Sequence, residues 1–97
     1  MIKQITVTEA AEMLETSKVL VVDIRDAGSF SNGHIEGAVR IDNSNFQSFI
    51  DSADKSLPLV VCCYHGNSSQ GAADFFNQQG FEESYSLDGG YTAWPTC

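Results

Sequence analysis

The sequence predicts an α/β fold: one domain in which a small parallel sheet is flanked by helices on both faces. Three observations point there. Residues 19–24 (VLVVDI) and 58–63 (PLVVCC) are almost continuously apolar and rich in valine, as expected of strands covered on both sides. Between and after these runs lie segments whose apolar residues recur at helical spacing. Strand and helix alternating in units this short imply right-handed crossovers and parallel pairing.

In chain order, residues 5–7 read as a short edge strand. Thr8 is the expected N-cap of a helix running to about Thr16, with Glu9 in its first turn and Ala10, Ala11, Met13 and Leu14 on its apolar side. The strand at 19–24 follows. Residues 26–30 form a weak helix, disfavoured by Gly28, and residues 32–38 a loop punctuated by Gly33 and Gly37. Residues 39–41 read as a short strand. Asn43 or Ser44 caps a helix that puts Phe46, Phe49 and Ile50 on one face, and residues 51–56 are a polar linker. After the strand at 58–63, residues 70–79 are helical, with Ala72, Ala73, Phe75 and Phe76 facing a sheet and Gly80 as the stop. A last strand spans 85–87, and Gly89 and Gly90 turn the chain toward Tyr91 and Trp94.

Composition bounds the function. A chain of 97 residues, 42% of them hydrophobic, supplies one packed core and little room for a deep cofactor cleft, so no cofactor is expected. Thirteen acidic residues against five basic ones give a net charge of −8, which argues against binding nucleic acid or an anionic membrane surface. No apolar run approaches the ~20 residues of a membrane span, and the first residues contain no signal-peptide core. Three cysteines, two of them adjacent, do not make the spaced pairs of a disulfide framework. They read as free thiols in a reducing cytoplasm.

Sites in parallel sheets form outside the carboxyl ends of the strands. Asp23 with Arg25, Asp42, and Cys63 with the loop after it all sit at such ends. The Cys63 loop carries the strongest signal. A helix begins about five residues beyond Cys63, so the chain must curl tightly, and Gly66 and Asn67 tolerate the conformations this needs. A curled loop ahead of a helix turns several backbone N–H groups inward to make an anion nest, and the helix start adds partial positive charge. A thiol in that cup ionises more readily, and the thiolate is the nucleophile. Such a cradle holds an anion without Lys or Arg, as an acidic protein requires.

Three stretches together resemble the rhodanese family: "VVDIRD…F…GHIEGAVRI", "VVCCYHGNSSQGAADFFNQQGF" and "YSLDGGYTAW". The likeness covers nearly the whole chain and is strongest to single-domain bacterial thiosulfate sulfurtransferases with a C-Y-H-G-N-S-S loop. The resemblance implies that Cys63 takes the outer sulfur of thiosulfate, becomes a persulfide and passes sulfur to a thiophilic acceptor. Cyanide serves in vitro, and a dithiol protein such as thioredoxin in the cell. The substrate loop is then Tyr64, His65, Gly66, Asn67, Ser68 and Ser69, its N–H groups converging on the anion and its side chains radiating outward.

Other residues have plainer readings. Cys62 points to the opposite face of its strand and reads as core. His65 is a base, a soft contact for thiosulfate or simply solvent-facing. Asp23 and Arg25 brace the strand end, His34 braces its own turn, and no ligand-spaced partners suggest a metal. Ser69 contributes an N–H and a hydroxyl cap to the helix start. Tyr91 and Trp94 read as core or rim, residues 88–90 as a wall of the site, and Cys97 as an incidental thiol. Three rivals are weighed. A cysteine phosphatase needs Arg six positions after its cysteine, where Ser69 stands. An idle binding module of this kind usually lacks the cysteine. An arsenate reductase needs resolving cysteines, a part for which Cys62 and Cys97 are poorly placed.

Overall fold

The computed structural model describes residues 3–16 and 18–94. Its five strands are β1 (Lys3–Ile5), β2 (Leu20–Asp23), β3 (Val39–Arg40), β4 (Leu59–Cys62) and β5 (Ser84–Leu87). Among the described residues the four α-helices are α1 (Val7–Thr16), α2 (Ala27–Asn32), α3 (Phe46–Ser52) and α4 (Ser68–Gln78). The strands form one sheet in the order β1-β5-β4-β2-β3, and every pairing is parallel.

Alternate residues of the central strands feed two separate cores. Val22, Leu59 and Val61 pack with Ile50 of α3 and Ala73 and Phe76 of α4. Val21, Val60 and Cys62 pack with Ala10 of α1 and Ile5 and Leu87 of the neighbouring strands. Both faces are therefore covered, which is why these strands carry no polar alternation. Each fully buried Val or Leu contributes about 1.5–3 kcal/mol. A one-residue slip of β4 would exchange the two sets and send Cys63 to the wrong side.

Several element ends differ from the sequence expectation. The edge strand is Lys3–Ile5, not 5–7, because α1 is capped at Thr6 rather than Thr8. Thr6 Oγ1 accepts from Glu9 N at 3.1 Å and Glu9 Oε1 accepts from Thr6 N at 3.0 Å, a reciprocal capping box. Val7 then lies inside the helix. Helix α2 runs to Asn32 despite Gly28, held by Asp26, whose carboxylate accepts from Ser29 N and Ser29 Oγ. Helix α3 begins after Asn45 rather than Asn43 or Ser44. Asp42 Oδ1 takes both the N–H and the hydroxyl of Ser44, and Asn45 is tied to Asp42 N and Arg40 O. Asp51 and Ser52 belong to α3, which shortens the expected linker. Helix α4 starts at Ser68, ahead of the expected residue 70, and its first turn therefore belongs to the cysteine loop. Gly80, at φ +110°, follows its C-cap as expected.

Candidate active site

Strand β4 ends at Cys62 and α4 begins at Ser68, so the intervening chain reverses within five residues at the carboxyl edge of the sheet. Gly66 turns it, at φ +90°. A side chain there would also collide with Gly89 N at 2.8 Å, so the position requires glycine twice over. The turn folds three groups back onto one atom. Gly66 N donates to Cys63 Sγ at 3.0 Å, Ser69 N donates to it at 3.3 Å, and Ser69 Oγ lies 3.3 Å away. Tyr64, His65, Asn67 and Ser68 are exposed, whereas Cys63, Gly66 and Ser69 are buried. The side chains radiate outward around an inward ring of donors.

This arrangement sets the charge state of the sulfur. Burial works to raise the Cys63 thiol, but the Ser69 hydroxyl and the amides of Ser69, Gly66 and His65 outweigh it and hold the thiol below its ordinary 9.0. Cys62, one residue earlier, is fully buried in the core on the α1 side, and burial pushes it up to about 12. The charges of Asp23 and Arg25 act in opposite directions on it.

The segment after β5 backs the loop. Tyr91 N donates to Cys63 O at 2.7 Å and Thr92 N to Tyr64 O at 3.1 Å. Gly90, at φ +62°, lies so close that a Cβ would sit 2.5 Å from Cys63 O and from the Tyr64 carbonyl. On the other side, Arg25 touches four segments of the chain. It meets Asp23 Oδ2 at 2.6 Å, donates to Gly33 O at 2.7 Å, and lies over the rings of Tyr91 at 4.1 Å and Tyr64 at 5.6 Å. The bonds it donates to Asp23 raise Arg25 above its usual value, despite desolvation. Tyr64 Oη is tied to Ser29 Oγ at 2.5 Å. His34 stacks on Phe30 and bonds Phe30 O at 2.8 Å, within its own turn.

The chain matches the family model for the rhodanese-like domain over residues 6–97. It is 52% identical over 92 residues to the thiosulfate sulfurtransferase GlpE of Shewanella oneidensis, covering 95% of this chain and 91% of that one. It is 56% identical over 86 residues to the GlpE of Pseudomonas aeruginosa strain LESB58, covering 89% and 78%. The chain belongs to the rhodanese family. Among solved structures, it is similar to a rhodanese-like domain protein from Staphylococcus aureus, with a TM-score of 0.83 at 26% identity over 97% of this chain and 92% of the other. A Rhodopseudomonas palustris protein described as a possible tyrosine phosphatase has a TM-score of 0.79 at 25% identity, over 96% and 79%.

Within this rhodanese domain, the residues expected at the site are not all brought together. Cys63, the loop to Ser69, and the Asp23–Arg25 pair converge. Asp42 does not: it lies past the edge strand β3, with β2 between β3 and β4. There Ser44 and then Arg40 hold its carboxyl down at about 2. The expected hydroxyl cap at Ser69 is also corrected. The cap position is Asn67, without a side-chain bond, and the Ser69 hydroxyl instead meets Cys63 Sγ and Ser86 Oγ. Gly90 stands in the wall expected at residues 88–90, whereas Ser86 was missed. A serine next to Tyr85 in a short strand reads as a side chain facing water, and it is the long-range pairing of β5 with β4 that buries it. Cys97 lies outside the described residues. Among the described residues there is no cluster of three metal-ligating side chains, and no helix is long and apolar enough to cross a membrane.

Proposed function

We propose that this rhodanese is a cytoplasmic thiosulfate sulfurtransferase that works through a persulfide on Cys63, with no resident cofactor. The carrying observation is a thiol whose sulfur receives backbone N–H bonds from Gly66 and Ser69 while no Lys or Arg belongs to the loop. The named activity of relatives 44–56% identical supports the donor. The Cys63 thiolate attacks the outer sulfur of thiosulfate. A new S–S bond forms, the bond from the outer sulfur to the sulfonate sulfur breaks, and its electron pair leaves with sulfite. The persulfide's terminal sulfur carries negative charge, which the converging donors stabilise. A nucleophilic acceptor, cyanide in vitro or a dithiol protein such as thioredoxin in the cell, then attacks that sulfur and releases the Cys63 thiolate.

Each loop residue has a part in this reading. His65, Gly66 and Ser69 supply amides, and the exposed side chains of Tyr64, His65, Asn67 and Ser68 form the rim that an acceptor meets. Asp23, Arg25 and His34 hold the surrounding turns. The phosphatase alternative lacks its arginine, because the sixth residue after Cys63 is the buried Ser69. The test is intact mass after brief exposure to thiosulfate. The protein should gain one sulfur atom, lose it to cyanide as thiocyanate, and gain none as Cys63→Ser. A wild-type protein that acquires no sulfur, or that hydrolyses an aryl phosphate efficiently through Cys63, overturns the reading.

A further inference from the structure

Ser86 stands at a place where a parallel strand covered on both faces normally carries an apolar residue. Both Ser86 and Ser69 are fully buried, at 0% exposure. The hydroxyl of Ser86 has a single hydrogen-bond partner among the described residues, Ser69 Oγ at 2.7 Å, and Ser69 Oγ in turn lies 3.3 Å from Cys63 Sγ. Three atoms thus form a short chain, sulfur to hydroxyl to hydroxyl, that passes from the loop into the sheet.

A hydroxyl has one proton to give and lone pairs to receive with. When Cys63 is a thiol, its S–H points at Ser69 Oγ, and the Ser69 hydroxyl donates its hydrogen bond to Ser86. When Cys63 is a thiolate the chain must reverse: Ser69 donates to the sulfur and accepts from Ser86. A Ser69 hydroxyl without a second partner still rotates freely enough to donate, but its oxygen is left buried with nothing donating to it. We propose that Ser86 is a positioning residue that aims the Ser69 hydroxyl at the anionic sulfur by donating to it from behind. The inference deepens the sulfurtransferase reading and rests on it for its catalytic meaning. The hydrogen-bond reversal itself requires only that Cys63 ionise.

The experiment therefore uses a readout that needs no thiosulfate: the pH dependence of Cys63 alkylation by iodoacetamide, in a Cys97→Ser background. Ser86→Ala should move the midpoint upward by about half to one pH unit, as loss of a bond supporting the charged form does. In sulfur transfer it should lower kcat about threefold to tenfold with KM for thiosulfate nearly unchanged. Ser86→Thr, which keeps the hydroxyl, should return the midpoint toward that of the parent even if the extra methyl lowers its melting temperature. In a Ser69→Ala background, Ser86→Ala should add no further shift, because its effect passes through Ser69. An unmoved midpoint in Ser86→Ala, failure of Ser86→Thr to restore it, or an equal shift with and without Ser69 each overturns the proposal. If Ser86→Ala does not fold, Ser86→Val, the shape of Thr without its hydroxyl, takes its place with the same outcomes. A shifted midpoint in a protein that transfers no sulfur would sink the sulfurtransferase reading while leaving the relay standing.

Discussion

Cys62 and Cys63 are the same residue type, adjacent in the chain and both buried, yet the fold treats them oppositely. Cys62 is the last residue of β4 and points into the α1-side core, where burial lifts its thiol to about 12. Cys63 is the first residue off the strand, and the donors that curl over it bring its thiol below 9.0 in spite of burial. Ease of ionisation here is a property of the turn, delivered to whichever sulfur the strand register presents to it.

The sharpest way to break the comparison is to remove each sulfur in turn. Cys63→Ser should abolish sulfur transfer, while Cys62→Ala should retain most of it and lose some stability from the small cavity. Comparable turnover in Cys63→Ser would reverse the assignment. Next in size is Gly90→Ala. A Cβ at 2.5 Å from the Cys63 carbonyl must displace the loop. A misplacement near 1 Å costs about 100-fold in rate, so turnover should fall steeply while circular dichroism remains that of a folded protein. Wild-type rates in this variant would show that the wall behind the loop is slack.

A third test acts beside Cys62, whose register partner across β2 is Asp23. Asp23→Ala leaves the Arg25 guanidinium buried without its partner. Losing one member of such a pair costs about 3–5 kcal/mol, measurable by urea unfolding. Activity should fall less than in Gly90→Ala, since Tyr91 and Gly33 still hold Arg25. A loss under ~1 kcal/mol would mark the pair as exposed in effect.

The smallest effect is the most discriminating, because the two thiols should differ in sign. Cys63 has a lowered value in the fold, so its contribution to stability is full above the ordinary 9.0 and is lost as pH falls through the folded value. Cys62 has a raised value, so its contribution is full below 9.0 and is lost as pH rises toward about 12. Urea unfolding at pH values from about 7 to 10.5 should show the wild type gaining on Cys63→Ala through the lower part of this range. It should lose to Cys62→Ala in the upper part. Slopes of one sign for both would erase the distinction.

The sheet was legible because β2 and β4 are buried on both faces and need unbroken valine runs, a signal that survives without knowledge of their neighbours. The cup at Cys63 was legible for a related reason: a thiol, a glycine and a helix start close in sequence leave few ways to fold. Helix starts were less so. Thr6 and Thr8 are both good caps, and the choice falls to Thr6 because only it stands three residues ahead of Glu9. The Asp42 carboxylate looked like part of the site because strand ends gather function in such sheets, but strand order, which puts β3 at the edge, is not written in β3 itself. The wall expected at residues 88–90 stands at Gly90, but Ser86 depends on which strand lies beside β4, and that contact joins distant parts of the chain.

The late position of that contact bears on how the protein is made. Ribosomes deliver Cys63 and its loop before β5 and the turn that follows, and β5 is also the strand on which β1 waits for a partner. A nascent chain that stops short of β5 has Cys63 and Gly66 but neither the backing amides of Tyr91 and Thr92 nor Ser86. Until that strand docks, the sheet is open and the Cys63 loop has no wall, so a partial chain is expected to carry an ordinary thiol. A stalled chain ending near residue 80 should show iodoacetamide reactivity like that of a free cysteine peptide, and a lowered midpoint already present there would mean that the cup assembles without its wall.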